Sequence, residues 1–207
     1  NWKDGSDFID FWRTLRSVFQ QYNNLYTYLI VSTNPQCIET SKIKDQDNPI
    51  FAQLPIEYIQ PFSVEQTKEM VERLALIMGL EFDDVIYGKL NDDFGGHPFL
   101  IRMVCSAINS ICSSDRPQRV DKTLYEKGKI LFEEKYFSYI EMVISVLSEY
   151  YPDEYAMLQS LAIGDLTFFN EFAKESPIYT NHLIGYNIID KNNSTYFFKI
   201  EIIKNYL

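Results

Sequence analysis

The sequence predicts a mainly α fold with a small α/β portion. Three observations carry that expectation. Apolar residues recur at helical spacing through most of the chain. Runs suited to β-strands are few and short, and one of them, "YTYLIV" at residues 26–31, follows a helical segment and lacks alternation. A strand buried on both faces has that look, and a helix joined to one suggests an α/β layer. Near the C-terminus, several helical patterns give way to two β-prone runs around "KNNS".

Taken in order, residues 6–20 predict an amphipathic helix with Ser6 as N-cap and Phe8, Phe11, Trp12, Leu15 and Phe19 on one stripe. The strand at 26–31 follows, then a polar connection over 32–49. A second short strand is expected in "IEYIQPF", residues 56–62. Residues 63–79 predict a helix with Ser63 and Gln66 as a capping box and Gly79 as its stop. A short helix near 82–90 leads to a very apolar one over 98–112, whose polar face is Arg102, Ser106, Asn109 and Ser110. The stretch "SSDRPQRVDK", 113–122, has linker composition. Helices near 122–150, 152–163 and 167–176 come next, then a hairpin within 188–200 and a last helix from Glu201.

Composition narrows the function classes. The 207 residues carry a formal net charge of −10, which opposes binding to a phosphate backbone. From residue 145 onward there are eight acids, four lysines and no arginine, which argues against DNA reading by that part. No apolar run is long enough to span a bilayer, so no membrane partner is expected. Cys105 and Cys112 would lie two helical turns apart, about 10 Å, too far for a disulfide. With Cys37 they read as reduced thiols of a cytoplasmic protein. The only histidines are His97 and His182, so a histidine-rich metal site is excluded. His182 reads as structural. The pairs Asp83-Asp84 and Asp92-Asp93 read as helix-start acids that favour the dipole.

One stretch asks for more: "DDFGGHPFLIRMV", residues 92–104. Gly95 and Gly96 permit a ligand or another backbone to come close. Pro98 suits a first helical turn, and the free amides there attract anions. Arg102, one turn in, opposes the dipole unless a phosphate is bound. A tight turn with an exposed arginine is the plain alternative.

In order, "LIVSTNP", "NPIF", "PFSVEQTKEMV", "MGLEFDDVI" and "FGGHPFLIRMVCSAI" resemble P-loop ATPases of the STAND branch and their AAA+ relatives. "EYYPDEYAMLQSLAIGD" and the ending "NHLIGYNIID…YFFKIEIIKNYL" resemble the winged helix of such proteins. The resemblance implies the C-terminal part of a nucleotide-binding core over 1–62, a helical lid over 63–115, and a linker helix with a winged-helix domain over 116–207. It implies Asn34 as a sensor-1-like residue with Thr33 beside it. It also places Gly95, Gly96, His97 and Pro98 against an adenine, Arg102 on a phosphate, and Lys199 where relatives carry a phosphate-binding histidine. The implied cofactor is ATP or ADP with Mg²⁺. The implied partners are further copies of the chain or another protein, in a nucleotide-gated switch used in bacterial antiviral defence.

The sequence departs from that pattern in important places. It has no G-x-x-x-x-G-K-[ST] and no aliphatic run ending in paired acids. The chain is therefore expected to begin just after these motifs in a longer protein, with Mg²⁺ ligands outside it and no hydrolysis by this portion alone. No arginine lies between Arg16 and Arg73, which favours a switch over a cycling motor. The competing expectation is a winged-helix adaptor or DNA-binding regulator without nucleotide chemistry.

Overall fold

The structure, a computed structural model, describes residues 5–22, 29–31, 36–43, 45–51, 54–193 and 195–207. It is mainly helical, with a few short strands. Two compact units divide at residues 57 and 58.

The first unit holds α1 (Gly5–Gln21), α2 (Gln36–Glu39) and a minimal antiparallel hairpin of β1 (Lys42–Ile43) and β2 (Gln46–Asp47). The helix begins at Gly5, before Ser6, so Ser6 lies inside it and is not its N-cap. Ile9 and Trp12 are buried, with Phe8 and Phe11 ringing Trp12. Asn48 turns the chain after the hairpin. Its amide donates to the Thr40 carbonyl at 2.8 Å and its oxygen accepts from the Ile50 N–H. Of the strand expected at 26–31, residues 29–31 are described. They form no strand, and Leu29 and Val31 are exposed.

The second unit starts with an extended stretch and α3 (Val64–Met78). The capping box forms as the sequence predicts: the Gln66 N–H donates to Ser63 Oγ, and the Ser63 N–H to Gln66 Oε1. Gly79 ends the helix in the left-handed region. Then come β3 (Leu80–Phe82), α4 (Asp84–Phe94), α5 (Pro98–Ile111), β4 (Gln118–Val120) and α6 (Lys122–Tyr150). The stretch with linker composition thus contains a strand, and β4 pairs in parallel with β3. The strand expected at 56–62 does not form. Pro61 withholds an N–H, and the bond from Phe62 N–H goes to the Gly96 carbonyl at 2.9 Å.

Helix α5 is the centre of the first half of this unit. Leu100, Ile101, Val104, Cys105, Ala107 and Ile108 are all buried, as expected of a helix apolar almost all round. Against it lies α6, capped by Asp121, whose carboxylate accepts from the Leu124 N–H at 2.9 Å. The C-terminal half is built from α7 (Pro152–Ile163), α8 (Leu166–Glu175), α9 (Pro177–Gly185), an antiparallel hairpin of β5 (Ile189–Asn192) and β6 (Thr195–Phe198), and a closing 3₁₀ helix (Glu201–Tyr206). Asn193 turns the hairpin at φ 47°, a conformation asparagine tolerates.

The acidic pairs behave differently from one another. Asp83 precedes α4 and forms a bidentate pair with Arg119, at 2.6 and 3.0 Å. Asp92 and Asp93 lie at the end of α4, not at a helix start. There the dipole disfavours a carboxylate, and Asp93 is offset by the Tyr125 hydroxyl at 2.6 Å and Lys129 Nζ at 3.1 Å. His182 is structural: its Nδ1 lies 2.7 Å from Glu154 Oε1, and both are buried.

Candidate functional site

Helix α4 ends at Phe94, and two left-handed glycines follow, Gly95 at φ 60° and Gly96 at φ 69°. The Gly96 N–H returns to the Asn91 carbonyl and the His97 N–H to the Phe94 carbonyl. That double reversal aims the chain into α5, where Pro98 occupies the first turn. The first amide of α5 with an intrahelical acceptor is that of Ile101, which donates to the His97 carbonyl. The N–H groups of Phe99 and Leu100 precede it and have no acceptor within the helix.

The close approach that the glycines allow is used by the protein's own backbone. A Cβ on Gly96 would overlap the Phe62 carbonyl oxygen, and one on Gly95 would stand 2.8 Å from the Lys199 carbonyl oxygen. Phe62 is strapped to the turn from both sides. Its N–H donates to Gly96, and its carbonyl accepts from Asn91 Nδ2 at 2.9 Å. The same amide reaches the buried Thr67 hydroxyl at 3.0 Å. Asn91 and Phe62 were not singled out by sequence reasoning. The one signal was an asparagine inside a helix, where its propensity is poor unless its side chain has work elsewhere.

The turn therefore brings three distant pieces together: residue 62, residues 95–98, and residue 199 after the hairpin. His97 is half-buried, and its Nδ1 atom is fully buried without a hydrogen-bond partner among the described residues. Burial lowers the imidazole pKa, so the ring is neutral at pH 7. A neutral buried nitrogen with nothing to bond is costly.

The other candidates are placed as follows. Pro98 adjoins His97 and is half-buried. Arg102 is exposed on α5 and makes no ion pair or side-chain hydrogen bond among the described residues. The Lys199 backbone packs on Gly95, while its ammonium lies 3.3 Å from Asp190 Oδ2. Thr33 and Asn34 lie outside the described residues. Among the described residues no cluster of three or more His, Cys, Asp or Glu could hold a metal ion, and no helix is long and apolar enough to cross a membrane.

No family model matches the chain, and no curated protein or solved structure matches it.

Proposed function

We propose that this chain is part of an ATP-binding switch of the STAND/AAA+ kind, in which a helical lid and a winged helix close over a nucleotide. The observation that carries the reading is the orphaned Nδ1 of His97, close in sequence to the Phe99 and Leu100 amides that have no acceptor within the helix. Backbone contacts hold that corner to residues on both sides of it in sequence, so a ligand there would feel the lid and the C-terminal hairpin together. Three helices followed by an antiparallel hairpin are the parts a winged helix requires.

In this reading His97 and Pro98 hold the adenine and Arg102 neutralises phosphate charge. Lys199 exchanges Asp190 for a phosphate oxygen. The nucleotide supplies the phosphoanhydride, and the reading requires a phosphate cradle and Mg²⁺ ligands for which these 207 residues show no motif. Loss of the nucleotide frees the lid and exposes surface for assembly with further copies or a partner protein.

The test is an amide-resolved NMR titration of this chain with ADP and with Mg²⁺–ATP. Shifts at His97, Phe99 and Leu100 are expected, with Pro98→Ala and Arg102→Ala each weakening binding by about three- to tenfold, on the order of 1 kcal/mol. Unmoved amides at millimolar nucleotide remove the nucleotide contacts assigned to this turn, and with them the observation the reading rests on.

A further inference from the structure

The second half of α6 has two faces. Ile140, Ile144 and Leu147 are buried. At about 100° of rotation per residue, Met142 lies about 140–160° around the helix axis from all three, so it points outward. Lys135 and Glu149 fall within about 20° of Met142, and Val146 within about 40°. Met142 is 53% exposed and Val146 44%, and Lys135 and Glu149 are exposed as well. Half-buried Tyr139 joins this stripe to α5: its ring centroid is 5.0 Å from that of Phe99, itself partly exposed. The result is an apolar surface that runs from one helix to the next on the side away from the core.

The placement of charge on the stripe specifies what covers it. Lys135 is the last cation of α6 and Glu149 its last anion. They stand on opposite sides of Met142, each seven residues or about 10 Å away. The Lys135 ammonium lies 5.6 Å from the Tyr136 ring centroid, and neither Lys135 nor Glu149 makes an ion pair among the described residues. Glu134 and Glu141 sit about 80–100° off the stripe, on a solvated flank. A surface with one charge of each sign, equally spaced about an apolar centre, is complementary to its own reversed copy. Laid antiparallel across a twofold axis at Met142, two such helices bring Lys135 of each against Glu149 of the other and Met142 against Met142. Laid parallel, they set Lys135 against Lys135 and Glu149 against Glu149, which repels.

We propose that two copies of this chain pair through the outward stripe of α6, antiparallel and centred on Met142, with each Lys135 meeting the other copy's Glu149. One helix stripe is a small interface, of the class that forms transient contacts, so a dissociation constant on the order of 0.1 mM is expected. The pairing does not rest on the nucleotide reading, because the stripe is exposed in this structure as it stands.

The experiment is sedimentation equilibrium of the chain without nucleotide, at concentrations up to about 1 mM in about 0.1 M salt. A reversible monomer–dimer equilibrium is expected. Met142→Glu sets two carboxylates at the axis and should leave only monomer, with circular dichroism unchanged because the position is exposed. Lys135→Glu and Glu149→Lys should each weaken the dimer by about five- to tenfold, and the two together should restore it to within about twofold of the original. Net charge acting alone gives another pattern: in a chain of charge −10, Glu149→Lys tightens association while Lys135→Glu loosens it. That pattern overturns the proposal. So does a chain that stays monomeric throughout, a dimer indifferent to Met142→Glu, or a double exchange that fails to restore pairing. Nucleotide is absent from every measurement, so failure here leaves the reading of the turn at Gly95 untouched.

Discussion

Replacing Gly96 by alanine probes whether the turn is held by the strap at Phe62. Two costs add. The residue sits at φ 69°, and an L-side chain in the left-handed region costs roughly 1–2 kcal/mol. The new Cβ would also overlap the Phe62 carbonyl oxygen, a backbone atom itself bonded to Asn91. Overpacking of that kind costs about 1–3 kcal/mol. The sum is about 2–5 kcal/mol, or a fall in Tm of roughly 4–20 °C for a chain of this size. Two controls separate the causes. Gly164 has φ 82° with no heavy atom within 4 Å of a Cβ, so Gly164→Ala should cost only the backbone strain, about 1–2 kcal/mol. Gly88 lies within α4 with equally open space, so Gly88→Ala should stabilise by roughly 0.5–1 kcal/mol. Urea unfolding of the three variants gives the comparison. If Gly96→Ala and Gly164→Ala cost the same, the strap does not bear on the turn and the geometry described here is wrong.

Three further outcomes follow from the same packing. His97 has a lowered pKa when folded and an ordinary one near 6.5 when unfolded, so the unfolded chain binds more protons between those values. Stability should then fall as pH drops through about 6.5, and His97→Gln should remove that part of the slope in pH-dependent urea melts. The buried Glu154–His182 pair joins α7 to α9, and Glu154→Ala should cost about 3–5 kcal/mol in calorimetry by stripping a buried imidazole of its carboxylate. The double variant Glu154→Leu, His182→Leu should cost less than the single one. Cys105 is 1% exposed with its thiol pushed up to about 12, so an aromatic disulfide reagent at pH 8 should label Cys112 and leave Cys105 untouched, as read by peptide mass spectrometry.

What the sequence made legible was local. The capping box at Ser63, the stop at Gly79, the long helix from 122 to 150 and the hairpin around Asn193 each follow from signals within a few residues. The missed helix α9 starts at Pro177 without a side-chain cap, and "PIYTNHLIG" is rich in β-branched and aromatic residues. Burial, not propensity, makes it helical: Thr180, His182 and Leu183 are all enclosed. The pairing of β3 with β4 joins three-residue strands nearly forty positions apart, and nothing in either run announces the other. The site divides in the same way. That Gly95 to Pro98 form a tight helix entry was readable, but the backbones filling the space beside the glycines come from residues 62 and 199. Composition holds no trace of such long-range contacts.

Helix α6 runs for 29 residues, about 43 Å at 1.5 Å per residue. Tyr125, Gly128 and Phe132 bury its first half, and Ile140, Ile144 and Leu147 its second. No proline interrupts it between those two seats. It therefore carries one unbroken backbone from its seat against α5 to its seat against α7, so the two seats share a single rigid spacer.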